Sequence, residues 1–501
     1  MRVWTLFGLV FLLDASAHAQ SIRSASEAYN AKNFTEAAYQ FFELAQGADA
    51  ESRERYQAEY YLAQSLYRAG YLFPAFQYYA EVFTQGDAHP FFLRSATGLL
   101  RVAERLGDTL VIPQVLNAGY VDAFAQLKAD DLNAINYLIG LLENRNRDYE
   151  TASRFFAAIT DTTSPYYVKA QYHLAIIAVR SAVVRETADY GQAIRIFDNI
   201  QSLLQRSNEE EDEKLVRLAI LGKARAYYSQ GDFDRSVRAY ESVPRFSDDW
   251  FDALYESGWA YFQTGQFGRA LGAVHSVHSP YFDERFRPES FVLKATTYFQ
   301  VCHFDRVRKT LDDFFRTHEP MLDALRRWLD SEIGDAEYVT VMTEGAFDFP
   351  DVVRLRVLGN GKFQRYLNQL QRADQEVTRA RRDFRNPRFR SIMLELLVAQ
   401  RAQWLSLTGR LTESLIRRHS AALEDFVNQA RIIQFETADA ERKMLEAGRD
   451  ITKGPRAKGP RPVLEMPGRQ QYWAFQGEYW VDELGYYQHS IADECIPEIF
   501  D

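Results

Sequence analysis

Between residues 215 and 318 one pattern occurs three times, and it constrains the fold more than any other feature of the chain. A small residue (Ala224, Gly258, Ala295) is followed by Tyr227, Tyr261 or Tyr298, then by a turn residue (Gly231, Gly265, Cys302) and by Phe233, Phe267 or Phe304. Ser236, Ala270 or Val307 completes each copy. The Phe positions lie 34 and 37 residues apart. Such a unit reads as two short helices. Neither can bury its apolar stripe alone, so small residues let the pair approach while large ones fill the groove of the next pair. Gly231 and Gly265 sit where the first helix ends and reverses, a place that suits left-handed backbone. Pro244, Pro280 and Pro320 follow the second helices, where the pattern expects each helix to stop.

These residues resemble the tetratricopeptide repeat, a helix pair of about 34 residues that stacks into a right-handed superhelical solenoid. The third copy departs from the pattern at Cys302, in place of Gly, and at Val307, in place of Ala. The resemblance implies that residues on the first helix of each repeat line a concave surface that receives extended peptides or partner helices. An aromatic series stands five residues before the second-helix markers, Tyr29, Tyr67, Tyr228, Phe262 and Phe299, with Asn144 breaking it. Tyr228, Phe262 and Phe299, with Trp259 and Arg225 nearby, are therefore the candidate binding residues of the groove. The plainer alternative is that they pack between repeats.

The same rhythm, stretched and degenerate, runs back to the first residues after position 20. It gives about eight repeats over 20–320, with an insertion near Arg180–Thr187. Residues 321–361 read as an irregular helical cap. From 362 to 450 a heptad rhythm appears (Leu370, Ala373, Val377, Ala380, Phe384, then Leu423, Phe426, Ala430, Ile433 and Ala440), the seam of long helices in a coiled-coil-like hairpin or bundle. Six arginines, Arg379, Arg381, Arg382, Arg385, Arg388 and Arg390, cluster at its bend, as an anion grip or as a solvated tip. Residues 451–468 form a Pro/Gly/basic linker. The last segment, 469–501, is dense in aromatics, including Trp473, Phe475, Tyr479 and Trp480. That much apolar surface either folds back onto the chain or serves as a handle for a protein or glycan.

The N-terminus reads as a signal peptide over residues 1–19: Arg2, an apolar run from Val3 to Leu13, and Ala17-His18-Ala19 as the cleavage site. No Cys follows the run to accept a lipid, and no later segment is apolar enough to span a membrane. The expected location is periplasmic or secreted. Cys302 and Cys495 are the only cysteines; in an oxidising compartment they either pair, clipping the tail to the last repeat, or remain unrelated thiols. A net charge of −10 argues against nucleic acid as a partner.

Catalytic signatures are missing: no Gly-rich phosphate loop, no Gly-x-Ser-x-Gly elbow, no His-Glu-x-x-His. His275 and His278 with Asp283 or Glu284 offer too few ligands at matching spacing for zinc, so no metal or cofactor is expected. The sequence thus implies an all-α, non-catalytic scaffold: a solenoid, a long-helix bundle and an aromatic tail. Its expected partners are other proteins of the cell envelope, in export, outer-membrane biogenesis or gliding motility, a setting taken from periplasmic members of the family it resembles. The alternative is a scaffold that binds glycan or peptidoglycan through the C-terminal aromatics. A lytic-transglycosylase-like enzyme is the weaker rival, because no compact lysozyme-like region is found.

Overall fold

The computed structural model describes residues 22–49, 51–184, 189–446 and 478–495. The signal segment, the linker, Trp473 and Phe475 lie outside the described residues. Among those described the chain is α-helical with no strand. It divides into two compact units, Met1–Leu142 with Gln369–Gln403 and Glu143–Asn368 with Trp404–Asp501.

Sixteen helices come in eight sequential pairs. In chain order they are α1 (Ile22–Asn30) and α2 (Phe34–Gly47), α3 (Arg53–Ala69) and α4 (Leu72–Thr84), α5 (Phe92–Leu106) and α6 (Val111–Ala118), α7 (Ala129–Asn146) and α8 (Tyr149–Ala157). Then follow α9 (Tyr167–Val184) and α10 (Gly191–Leu204), α11 (Glu210–Ser229) and α12 (Phe233–Glu241), α13 (Trp250–Gln263) and α14 (Phe267–Val277), α15 (Glu289–Gln300) and α16 (Phe304–Asp330). Each helix from α1 to α6, and again from α8 to α16, packs on the next.

The turn inside seven of the eight pairs has one recurring device. A single residue adopts left-handed backbone at Lys32, Gly70, Gly107, Arg147, Gly231, Gly265 and Cys302, with φ between 59° and 82°. Glycine takes this conformation without a Cβ penalty, and it dominates the series. The few inserted residues expected near Arg180–Thr187 fall partly on the end of α9, which runs to Val184, and partly on residues 185–188, which are not described. In two pairs the second helix starts on a side-chain cap: Asp148 accepts from Thr151 N (3.0 Å) and Asp232 from Arg235 N (3.1 Å). Close approach within the pair follows from the small residues. Ala224 is fully buried and its carbonyl accepts the Ser236 hydroxyl at 2.9 Å.

Past the repeats the expectation of a stop at Pro320 is corrected. Helix α16 continues through Pro320 to Asp330, so the cap expected to begin at 321 begins as the end of a repeat helix. A proline inside a helix forfeits one hydrogen bond. Here Phe314, His318, Leu322 and Leu325 are buried on both sides of it, and their packing holds the helix together. Helices α17 (Asp335–Glu344) and α18 (Asp351–Leu358) follow, then α19 (Gly361–Asp383) and the 60-residue α20 (Pro387–Glu446). The break at Asn386–Pro387 is where the sequence places it, and the stretch beyond is one continuous helix.

In the first unit, the end of α19 and the start of α20 pack on the early repeats. Phe389 lies 5.1 Å from Phe42 and Phe384 lies 4.6 Å from Tyr71, ring to ring. Glu376 accepts from Leu72 N (2.9 Å) and Phe73 N (3.3 Å), so α19 supplies the N-terminal cap that α4 lacks locally. Of the arginine cluster, Arg379 donates to Gly70 O at 3.0 Å, Arg382 pairs with Asp383 at 2.9 Å and Arg388 with Glu43 at 3.8 Å.

In the second unit the later part of α20 runs antiparallel to α16. Arg308 pairs with Glu441, Glu319 with Arg431 (2.9 Å) and Arg326 with Glu424 (2.9 Å). Ala440 and Met444 pack on Cys302 and Phe304.

Candidate protein-interaction surface

The site is built on repeats six to eight, all in the second unit. On the first-helix face, Arg225 holds Glu256 with two hydrogen bonds of 2.7 Å, and Tyr240 donates to the same carboxylate at 3.0 Å. Trp259 donates from its indole nitrogen to Tyr255 Oη at 2.8 Å. Tyr228, Phe262 and Phe299 are half-buried, and each packs on the Phe that opens the second helix of its own repeat. The ring-to-ring distances are 5.2 Å to Phe233, 5.6 Å to Phe267 and 5.8 Å to Phe304; Tyr29 and Phe34 do the same at 5.4 Å. The five-residue interval therefore staples the turn within a repeat. Tyr228, Trp259 and Phe262 share one core cluster, while Phe299 belongs to another, beside the two cysteines.

A different feature dominates the other side of the repeat. Residues 478–495 lie as a non-helical strap, apart from a single 3₁₀ turn, across the outer face of α14 and the neighbouring turns. Leu484 is its anchor, 1 % exposed and packed in the cluster of Trp250, Leu254 and Tyr240. Burying such a side chain is worth about 1.5–3 kcal/mol. Polar contacts fix the register. Gly485 N donates to Ser276 Oγ (2.8 Å) and His489 N to Gly268 O (3.0 Å). His303 Nε2 donates to Ala492 O (2.7 Å), and Glu494 N to Val301 O (3.1 Å). Arg245 reaches the strap from the α12–α13 turn and donates to the carbonyls of Asp482 (2.8 Å) and Leu484 (3.0 Å). At the far end Cys495 is joined to Cys302 by a disulfide, with Cα atoms 5.0 Å apart. Tyr479 of the expected tail set is in this packing, while Trp480 is half exposed.

The strap needs a flat track, and α14 provides one. A Cβ on Gly272 would stand 1.7 Å from the Tyr487 carbonyl oxygen, and one on Gly268 would stand 2.3 Å from that of His489. These glycines were missed by motif reasoning, yet the sequence carries their signal. Aligned on the Phe that opens each second helix, Gly268 and Gly272 stand where repeat six has Asp234 and Arg238 and repeat eight has Asp305 and Lys309. Of these three repeats, the seventh alone has glycine at both positions.

The histidines considered as metal ligands have other surroundings. His275 is stacked on Tyr479 (4.5 Å) with Tyr487 edge-on (4.7 Å) and His489 at 5.7 Å. Burial first, then the neighbouring His489 and Lys294, push its pKa down to about 4, so the ring is neutral at pH 7. His278 Nε2 lies 2.7 Å from Ser290 Oγ. No group of three or more His, Cys, Asp or Glu placed to hold a metal occurs among the described residues, and no helix there is long and apolar enough to cross a membrane.

No family model and no curated protein sequence matches the chain. Solved structures similar to it include a tetratricopeptide repeat protein from Parabacteroides merdae, at 17% identity over 52% of this chain and 91% of that one, with a TM-score of 0.33. Others are the APC/C hetero-tetramer Cut9–Hcn1 (11% identity, 81% and 82% covered, TM-score 0.19) and yeast Tom70 (12% identity, 76% and 95% covered, TM-score 0.20). The helix pairs and their left-handed turn residues give this chain its tetratricopeptide-like form.

Proposed function

We propose that the chain is a non-catalytic protein-interaction scaffold of the bacterial cell envelope. The observation that carries this reading is the strap: repeats six to eight already hold an extended polypeptide, with a buried leucine anchor, main-chain hydrogen bonds and a glycine track. A helical-repeat surface that recognises one extended segment is chemically equipped for others. The first-helix face, with Arg225, Tyr228, Trp259, Phe262 and Phe299, is the second place where partner segments engage. The envelope setting is supported by the Cys302–Cys495 disulfide, of a kind that persists in oxidising compartments, and by the stretch from Arg2 to Ala19, whose sequence reads as an export signal. Within the envelope, an export, outer-membrane biogenesis or gliding-motility assembly suits a scaffold of this length.

The test is photo-crosslinking in intact cells, with a photoreactive phenylalanine analogue in place of Arg225, Trp259 or Val398, followed by fractionation. The expected result is recovery of the chain outside the cytoplasm and discrete protein adducts at 225 or 259 but not at 398. Recovery in the cytosol would remove the envelope setting, and absence of protein adducts at every position would remove the scaffold reading.

A further inference from the structure

Docking of the strap does more than cover α14; it assembles an exposed apolar patch that neither the strap nor the repeats possess alone. Its centre is Arg245. That guanidinium lies 5.0 Å from the Phe246 ring and 4.5 Å from the Tyr486 ring, while it holds the strap carbonyls. Phe246 in turn meets Tyr281 edge-on at 5.7 Å. Phe246, Tyr281, Trp480, Val481 and Tyr486 are 45–70 % exposed, although each belongs to a chain whose other aromatics are mostly inside. Contiguous exposed apolar surface rimmed by polar groups is the mark of an interaction site.

Two further observations separate this patch from chance exposure. Phe246 has φ 64°, left-handed backbone that a bulky residue adopts at a cost and that glycine adopts freely. Strain retained at an exposed aromatic, where glycine would be easier, fits a ring kept for a contact. Beside it opens a recess of about 1010 Å³, lined on one wall by Pro244 and Phe246 and on the other by Leu204, Val216 and Glu213. The rim is acidic: Glu213, Asp248, Asp283, Glu284, Asp482 and Glu483 are all exposed. Arg217 is paired with Asp249 at 2.9 Å and Arg245 is held by the strap, so the exposed cations beside these six carboxylates are Arg206, Lys214 and Arg285, and the rim stays acidic on balance.

We infer that the Phe246–Tyr281–Tyr486 patch and its recess are a docking site for an extended protein segment that carries an aromatic or aliphatic anchor flanked by Lys or Arg. The anchor enters between Pro244 and Val216, the flanking cations meet the acidic rim, and the strap contributes half of the surface. This rests on the scaffold reading and names the class of partner for one of its faces.

The probe is a library of random 12-residue peptides displayed on phage, selected against the full chain with its disulfide intact. Enriched peptides are then synthesised and titrated by fluorescence anisotropy. The expected result is enrichment of peptides combining an aromatic or large aliphatic residue with Lys or Arg, with binding at least tenfold weaker to Phe246→Gly and to Tyr486→Ser. Phe246→Gly relieves the backbone strain, so its melting temperature stays equal or rises while binding falls, a combination that loss of fold cannot produce. Enriched peptides that are acidic, or that bind both variants as well as the wild type, would overturn the docking site and leave the scaffold reading standing. Retention on purified peptidoglycan that depends on Phe246, in place of peptide binding, would overturn it in favour of a glycan. Failure to enrich any peptide would overturn the docking site, while the scaffold reading is decided separately by the crosslinking at positions 225 and 259.

Discussion

At the scale of single residues, three substitutions within one repeated pattern distinguish the seventh and eighth repeats. Cys302 takes the left-handed turn position held by Gly231 and Gly265 in the preceding copies, and so places a sulfur where the strap ends. Gly268 and Gly272 replace charged residues on an outward helix face, and so let a backbone lie against α14. The turn glycines were legible in the sequence because the reversal of a helix pair demands them. The track glycines were not read, because a gap in a solvent-facing row has no meaning until something is known to fill it. Gly272→Leu tests the track. Expulsion of the strap exposes Leu484 and gives up about 1.5–3 kcal/mol of docking. Hydrogen exchange at the amides of Gly485 and His489 is then expected to quicken roughly ten- to a hundredfold. Unchanged protection at those two amides would show that α14 is not what holds the strap.

Among the elements, periodicity revealed how each helix buries a face but not what covers it. The heptad rhythm of α20 was plain, and so was the break at Asn386–Pro387. Its partner in the second unit was not, because Pro320 marked an end for α16 that buried Phe314 and Leu322 override. Proline is a local signal, outweighed by the burial of Phe314, Leu322 and Leu325 on either side of it; the α20 residues that run beside this helix, Glu424 and Arg431, lie about a hundred residues further along the chain. Helix α19 gives a second case. Glu376 caps α4 from some 300 residues away, a pairing no local motif encodes. Its carboxyl is pushed up to about 7, since burial outweighs the two backbone donors and the nearby Arg372 and Arg379. A carboxyl whose folded pKa exceeds its unfolded value contributes stability that is complete below about 4.5 and is lost as pH rises through 7. The first thermal transition of the wild type is therefore expected to fall between pH 5 and pH 8, with Glu376→Gln flattening that slope. Glu376→Ala, which leaves Leu72 N and Phe73 N without their acceptor, costs about 1–2 kcal/mol at either pH. Equal slopes for wild type and Gln variant, by calorimetry, would remove Glu376 from the pH response.

For the whole molecule, the net charge of −10 argued against a nucleic-acid partner, and the aromatic tail announced a surface that must be covered. Where the tail lies was only partly legible: Cys302 and Cys495 offered a clip to the last repeat as one of two readings, while Leu484 and the track glycines carry no mark of each other. The covalent clip at its end is the test at this scale. Replacing Cys302 and Cys495 together by Ser is expected to lower the stability of the second unit by about 2–4 kcal/mol and to leave the first unit's transition in place. Denaturant unfolding, followed with the disulfide intact and then reduced, reads both.

That clip closes a covalent ring spanning 193 positions. A protease that cuts any single peptide bond inside the ring, the basic stretch from Lys453 to Pro462 included, produces two fragments that cannot part. On a gel without thiol the nicked chain keeps its full mass, and only with thiol does it divide. The severed strap also stays at high effective concentration over α14 and re-engages after each opening, so a molecule that is broken in sequence remains whole in shape.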